Sequence, residues 1–318
     1  MDTSAPAIPE QAPPSITVAI CTHNRARVLG DAVRSALPQL GNDAELLLVD
    51  NASTDDTASL ARQCAEADPR VRVLNHSQLG ISHARNRALT EARGSFVIFL
   101  DDDATARPGW LEAYRQFFRD PAFSRAAAVG GRVYPRYDAP PPAWVGPQEN
   151  RLDRGDRVAP FDQRGAPWAC NLAVLREAAL RCGGFNPALG RRGRSLMSAE
   201  ETELCLRLRQ AGHEVWWLPH AEIDHLVAAE RLTVRCLLRG MFCLGRSSAL
   251  IRLQMMRGLW RRLAFRGLRL LVTPPHLLFY VLAGGAVLVC GRIPPAARLF
   301  FRAARAAGYA YQLTLSCT

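Results

Sequence analysis

The stretch "FVIFLDDDATARPGW", Phe96 to Trp110, decides the fold. β-Branched and aromatic residues run without a break into three aspartates, Asp101, Asp102 and Asp103, and Pro108 then opens a segment of helical character. An unbroken apolar run is what a strand covered on both faces looks like, the usual condition of a parallel strand. Three adjacent carboxylates at its end repel one another and lose hydration where half-buried. A positive partner is needed, and a divalent metal is the simplest, because hard cations take oxygen ligands.

Similar runs recur upstream of it. "SITVAIC" (Ser15–Cys21), "ELLLVD" (Glu45–Asp50) and "VRVLN" (Val71–Asn75) read as strands beside "SFVIFLD" (Ser95–Asp101). Between them lie helical segments. "RVLGDAVRSAL" follows Asn24, read as its N-cap. "DDTASLARQCAEA" follows Ser53 and Thr54, with Asp55 and Asp56 in the first turn, and "ISHARNRALTEAR" closes at Gly94. Strand and helix in alternation predict an α/β fold with a doubly wound, mostly parallel sheet. Ligands of such sheets bind beyond the carboxyl ends of the strands. Asp50 and the aspartate triplet lie there, which places the triplet in a site.

Downstream, "AAAVGGRVYP" (Ala126–Pro135) reads as a further strand and Arg136–Pro167 as a long functional loop. "NLAVLREAALRCGGF" reads as a helix closed by Gly183 and Gly184. "SAEETELCLRLRQAG" reads as a second helix ending at Gly212, and "HEVWWLP" as a strand trailed by "HAEIDH" to His225.

The chain has 318 residues, 48% of them hydrophobic, enough for one large domain with an appendage. Its nine cysteines form no CxxC pair, which excludes a zinc ribbon or a disulfide framework and fits a reducing compartment. The net charge of +11 is uneven: Met1 to Ala229 carries 26 Arg and 28 acids, whereas Glu230 to Thr318 carries 14 Arg and the single acid Glu230. That basic part also holds "LLFYVLAGGAVLVC" (Leu277–Cys290). Arginine mixed with Leu, Phe and Trp suggests an anionic membrane surface rather than nucleic acid. The plain alternative is an Arg-rich helical subdomain. The apolar run falls short of the roughly 20 residues that a span needs. Extended back to Leu270 it reaches that length, but Pro274 and Pro275 interrupt it, so a re-entrant or interfacial helical hairpin is expected. "MDTSAPAIPEQAPPS" lacks a basic n-region and an apolar h-region and reads as a disordered leader. The expected organisation is a leader over 1–14, a catalytic domain over 15–229 and a basic, apolar helical region over 230–318. The expected location is cytoplasmic, peripheral to the membrane.

The turn after the first strand, "CTHNRAR", contains no glycine. That disfavours a dinucleotide-binding domain, and the absence of a Walker A loop disfavours a P-loop enzyme. "TVAICTHNR", "LLLVDNASTDDT", "GISHARNRAL", "FLDDD" and "AEETELCLRLRQAGHEVWWLP" instead occur in the order seen in family 2 glycosyltransferases of the Rossmann-like GT-A fold. The chain resembles that family from Ile16 to about His225.

The resemblance implies an inverting transfer from a nucleotide-sugar donor, with Mn2+ or Mg2+, to a glycan or lipid-linked acceptor. A UDP-sugar comes first as donor, with GDP- or dTDP-sugars as alternatives. It also implies roles by position. Asp103 would be the metal ligand, with Asp101 completing the DxD pattern and His225 as a third ligand, and Asp102 would contact the ribose. Asp50 and Asn51 would meet the base, although some relatives place an acid where Asn51 stands. Thr22 and Asn24 would border the nucleotide, Arg85 the diphosphate, and Trp168 and Asn171 the sugar and acceptor. Glu201 stands where the family's catalytic aspartate stands and would be the general base, with Glu200 second. Plainer roles compete: helix capping for Asp50 and Asn51, a solvated helix for Arg85, a core position for Trp168 and a structural role for His225. Rival functions are a non-catalytic membrane-associated scaffold, or a retaining transferase or nucleotidyltransferase on a similar sheet.

Overall fold

The computed structural model describes residues 16–142, 145–146, 150–163, 165–256, 258–289 and 293–315. The leader, Trp144 and Cys290 lie outside them. The chain forms two compact units. One comprises the residues up to Arg136 with Asn150–Ala188 and Glu200–Leu226; the other comprises Tyr137–Glu149, Leu189–Ala199 and the chain from Val227 onwards.

The first unit is built on one sheet. Its strands are β1 (Ile16–Thr22), β2 (Ala44–Asp50), β3 (Val71–Asn75), β4 (Phe96–Leu100), β5 (Ala104–Ala106), β6 (Ala126–Tyr137), β7 (Ala159–Pro160), β8 (Asn171–Leu175) and β9 (Glu214–Val227). They run in the order β3-β2-β1-β4-β8-β6-β9-β5, with β7 paired to β9. The β3-β2-β1-β4 half is parallel, as the unbroken apolar runs predict. Beyond β4 the pairs β4–β8, β6–β8, β5–β9 and β7–β9 are antiparallel. Every residue of β1 and β4 is buried, and the two faces of the sheet carry separate apolar clusters. The helices of this unit are α1 (Ala26–Ala36), α2 (Thr57–Ala67), α3 (Ile81–Glu91), α4 (Trp110–Arg119), α5 (Arg176–Arg181) and α6 (Glu200–Gln210).

Several expectations are corrected. "NLAVL" is not the start of a helix but strand β8, paired antiparallel with β4 from Phe96↔Leu175 to Leu100↔Asn171. Pairing and two-sided burial override a weak local helical pattern. "HAEIDH" does not trail a strand; it continues β9 without interruption. Asn24 is no N-cap: Arg25 holds that position, while Asn24 takes φ 53 and accepts from the Thr54 amide at 2.7 Å. Asp55 and Asp56 precede α2 rather than occupying its first turn, and Asp55 Oδ1 accepts from the Thr57 amide at 3.0 Å. Helix α3 stops at Glu91, short of Gly94, whose amide donates to Thr17 Oγ1 at 2.9 Å.

The antiparallel half is drawn tight around one residue. Asn171 is fully buried; its Oδ1 accepts from Trp110 Nε1 and Tyr114 Oη, both at 2.8 Å, and its Nδ2 donates to the carbonyls of Arg132 and Ala221. Beside it, β6 approaches β9 so closely that a Cβ on Gly131 would sit 1.8 Å from the Ala221 carbonyl oxygen. Only glycine fits there.

The second unit contains α7 (Val234–Met255), α8 (Leu259–Val289) and α9 (Ile293–Leu315). Thr233 caps α7 by accepting from the Cys236 amide. Helices α7 and α9 touch backbone to backbone at Gly308, where a Cβ would lie 1.8 Å from the Phe242 carbonyl oxygen. Helix α8 corrects the hairpin expectation, since it runs continuously through Pro274 and Pro275. Proline's φ is already helical, so the penalty is lost hydrogen bonding and a bend rather than a forced turn. On either side, Thr273 Oγ1 and His276 Nδ1 bond the carbonyls of Arg269 and Val272. Much of the apolar surface of α8 is open: Leu271 is 75% exposed and Leu282 62%. Among the described residues, one segment, Trp260–Ala286, is long and apolar enough to cross a membrane.

Candidate active site

The carboxyl end of β4 delivers the aspartate triplet, and neighbouring elements deliver its partners by register. The last β4–β8 pair is Leu100↔Asn171, so Asp101 and Cys170 leave that ladder side by side. Ala104 pairs with His225 at the start of β5, which sets His225 against Asp103; His225 Nε2 lies 3.1 Å from Asp103 Oδ1. The ligand atoms of Asp101, Cys170 and His225 lie within 4.8 Å of one another. The Leu226 amide donates to the Asp103 carbonyl at 2.8 Å, fastening β9 to the triplet.

Asp102 is buried, and burial, reinforced by the neighbouring Asp103, pushes its carboxyl up to about 7. Arg25 and the Thr22 hydroxyl work the other way; the Arg25 guanidinium, 3.9 Å from Asp102 Oδ1, is half in solvent. Arg85 is the buried counter-charge. Its Nη2 bonds Asp101 Oδ1 at 2.8 Å and its Nη1 bonds Glu200 Oε1 at 2.5 Å. Burial opposes its charge, yet Asp101 and Glu200 hold the guanidinium above the usual arginine range.

Helix α6 brings three acids with different fates. Glu200 is tied to Arg85, and Glu203 is tied to Arg207 at the next turn. Glu201 has no ion pair among the described residues; its carboxylate accepts a hydrogen bond from the Thr202 hydroxyl at 3.1 Å. Burial, together with the like charge of Glu200, pushes Glu201 up to about 8. The residue before this pair, Ala199, holds φ 70, a left-handed conformation that costs a non-glycine residue of order 1 kcal/mol.

The loops after β1 and β2 lie side by side. Asn51 bridges backbone groups of a third loop: Nδ2 donates to the carbonyls of His76 and Gln78, and Oδ1 accepts from the Gly80 amide at 2.7 Å. Its amide is thus occupied in fixing the entry to α3. Asp50 is buried and accepts from the Ser53 amide through Oδ1 only. Asn24 and Ala52 both take left-handed backbone, at φ 53 and 59, and strain of this kind clusters at ligand-binding turns.

Residues 17–180 match the profile of glycosyl transferase family 2, half of the chain. The chain belongs to this family. The glucosyl-dolichyl phosphate glucuronosyltransferase of Haloferax volcanii is 28% identical over 222 residues, covering 66% of this chain and 68% of the relative. The pre-mycofactocin glycosyltransferase of Mycobacterium tuberculosis H37Rv is 31% identical over 219 residues, 66% of this chain but only 42% of the relative's length. Among solved structures, a mannosyltransferase of Pyrobaculum calidifontis, in complex with GDP-Man and Mn2+, shares the fold with a TM-score of 0.64 at 20% identity. It covers 96% of this chain and 88% of its own. The sheet described above is therefore that of a GT-A glycosyltransferase.

Within this glycosyltransferase, the structure gathers Asp101, Asp102, Asp103, His225, Arg85 and Glu200 into one cluster, with Thr22 beside Asp102. Glu201 adjoins it through Glu200 and Arg85. Asp50, Asn24 and Asn51 form a second group at the neighbouring strand ends. Two expected roles meet competing engagements. Arg85 is nearly inaccessible and spent on two carboxylates, and the Asn171 amide is spent on the fold. Trp168 is 36% exposed and so not a core residue. Two residues escaped sequence reasoning. Cys170 is hidden because the strand that follows it, β8, reads locally as a helix. Arg25 gave a signal, a cation in the turn after β1, but its target was invisible without the register.

Proposed function

We propose that this glycosyltransferase moves a sugar with inversion from a nucleotide-sugar donor to a hydroxyl of a glycan or lipid-linked acceptor, with Glu201 as general base. The carrying observation is the division of labour on α6. Glu200 and Glu203 are ion-paired with arginines, whereas Glu201 has no ion pair among the described residues, and burial with the like charge of Glu200 pushes its carboxyl up to about 8. A carboxylate with a raised pKa is a stronger base, suited to taking the acceptor proton during in-line attack. Arg85 fixes Glu200, the residue next to the base, and Asp101 at the same time.

The donor set suits a divalent cation, since His225 Nε2 lies 3.1 Å from Asp103 Oδ1 and the ligand atoms of His225 and Asp101 lie within 4.8 Å of each other. Asp103, Asp101 and His225 would hold the ion, which when bound would neutralise the diphosphate leaving group as a Lewis acid. Mn2+ is the ion in the structural relative, and Mg2+ is the other hard candidate. Asp50, with one carboxylate oxygen uncommitted among the described residues, would accept from a nucleobase N–H, and Asp102 from a ribose hydroxyl. Thr22, Asn24 and Asn51 would border the nucleotide. Trp168, exposed one turn before β8, would offer an apolar face to a sugar. The basic, open face of α8 would hold the enzyme at the cytoplasmic side of an anionic membrane.

The test is a screen of UDP-, GDP- and dTDP-sugars, read by thermal shift with and without Mn2+ and then by the anomeric configuration of the product. One donor should raise the melting temperature only when Mn2+ is present, by mass action. The product should have inverted configuration. A retained anomer, or stabilisation indifferent to metal, would remove the reading.

A further inference from the structure

Cys170 is the member of the carboxylate cluster that the proposed transfer does not use. It is buried, it adjoins Asp101 across the end of the β4–β8 ladder, and its sulfur converges with Asp101 and His225 to within 4.8 Å. Its thiol makes no hydrogen bond among the described residues. Burial, and then the carboxylates of Asp101 and Asp103, keep that thiol protonated well above the ordinary cysteine range. A thiol pressed against carboxylates gains nothing from them by itself.

A sulfur, an imidazole nitrogen and a carboxylate oxygen are the ligand types of a borderline-soft ion, not of Mg2+ or Mn2+. Ligand bonds of about 2.3 Å to sulfur and about 2.0 Å to nitrogen and oxygen put tetrahedral neighbours roughly 3.5 Å apart. The three donors therefore need to close by about 1 Å, within the reach of side-chain rotation. Asp101 gives only Oδ1 to Arg85, which leaves Oδ2 to turn inward. Among the described residues no other cysteine offers the same set. Cys21, on β1, senses Asp101 and Asp102 from the neighbouring strand but joins no three-ligand group among the described residues.

We propose that Asp101, Cys170 and His225 form a three-ligand site for a zinc-class divalent ion, with Cys170 Sγ as a direct ligand. The fourth position is left for water. As the sulfur–metal bond forms, the S–H bond breaks and the proton leaves to solvent, so one proton is released per ion bound. The site shares Asp101 and His225 with the proposed catalytic ion. A zinc-class ion and the hard ion therefore compete for those side chains, and Zn2+ would displace Mn2+ and block transfer. The inference rests on the metal reading of this cluster, so its test uses a signal that the hard ion cannot give.

The probe is Co2+, titrated into the metal-free full-length enzyme and followed by absorbance. A cobalt–thiolate bond gives an intense sulfur-to-cobalt charge-transfer band in the near ultraviolet; oxygen and nitrogen ligands give none. The wild type should develop this band to saturation at one Co2+ per chain, and added Zn2+ should erase it. Cys170→Ser should lose the band, with Zn2+ affinity falling about tenfold or more and Mn2+ affinity, read by electron paramagnetic resonance, falling less. Cys21→Ser should keep the band. Co2+ that binds the wild type without the band would overturn the proposal, and so would a band that survives Cys170→Ser. Loss of Mn2+ binding with the cobalt band intact would instead count against the catalytic-metal reading alone.

Discussion

Arg85 spans the site: one guanidinium nitrogen lies 2.5 Å from Glu200 Oε1 and the other 2.8 Å from Asp101 Oδ1. Helix α3 thus supplies the pin that joins the base helix to the aspartate triplet. The buried Glu200 and the half-buried Asp101 share one buried guanidinium. Removing the cation would leave two carboxylates uncompensated, which typically costs about 3–5 kcal/mol. Arg85→Met should therefore lower the urea unfolding midpoint strongly. Arg85→Lys should fall between, because an ammonium cannot bridge two acids as a fork does. An unfolding midpoint unchanged in Arg85→Met would show that the pin is not structural.

The base assignment separates adjacent glutamates. Glu201→Gln keeps size and hydrogen bonding but cannot accept a proton, so turnover should fall roughly 10²–10⁴-fold with donor affinity preserved. In the wild type the rate should climb with pH and level off as the base form fills, near 8 for a group held where Glu201 is held. Single-turnover rates across pH 6 to 9 would check both points. If Glu200→Gln alone were dead, the base would lie one residue earlier than proposed.

The same shift makes a statement about stability. Glu201 titrates near 4.5 when unfolded and near 8 when folded. A carboxyl raised on folding contributes stability that is complete below its unfolded value and is lost as pH rises through its folded value. Asp102, raised from 3.8 to about 7, acts in the same sense. The metal-free enzyme should therefore lose melting temperature steadily between about pH 5 and 8. Mn2+ should flatten the decline by holding the ionised triplet. A melting temperature that rises over that interval without metal would contradict the burial of these two groups.

The parallel half of the sheet was legible because its strands are apolar without interruption, and covered parallel strands have to be. The site acids were legible because Asp50 and Asp101–Asp103 end such strands. The antiparallel half was not. "NLAVL" is short and followed at once by a good helix former, "REAALR", so local pattern reads through the boundary, and only pairing with Phe96–Leu100 marks Asn171–Leu175 as a strand. With that register hidden, Cys170 had no visible relation to Asp101. Arg85 is a similar case. Its position in "HARNRAL" reads as a phosphate-facing helix residue, and nothing local reveals that two carboxylates from elsewhere occupy its guanidinium.

Asn171 tests the same boundary. Its amide serves two donors, Trp110 Nε1 and Tyr114 Oη, and two carbonyls, all buried. Asn171→Ala would leave those groups unpaired, at about 1–3 kcal/mol for each that water cannot reach. The variant should unfold at markedly lower urea, by about 3 kcal/mol or more, whether or not donor is present. If it kept full stability and lost only acceptor affinity, Asn171 would belong to the substrate rather than to the fold.

The last expectation concerns α8. Its first part carries Arg261, Arg262, Arg266 and Arg269, and from Leu270 to Val289 it has no charged residue, while Leu271, Leu278, Phe279 and Leu282 stand open to solvent. Arginines near an anionic surface contribute roughly 1 kcal/mol each and are screened by salt. The apolar stretch contributes by insertion, which salt does not weaken. The two halves therefore predict different responses. Full-length enzyme should co-sediment with anionic vesicles more than with neutral ones at low salt, remain bound at high salt and be released by detergent. Leu271→Glu with Leu282→Glu should convert the attachment to one that salt removes, because only the arginines would then hold it. Arg262→Glu with Arg266→Glu should instead weaken the first encounter with anionic lipid and leave residual binding that resists salt. Sedimentation of neither the wild type nor these variants would remove the membrane from the proposal, leaving α8 an exposed helix whose partner is of another kind.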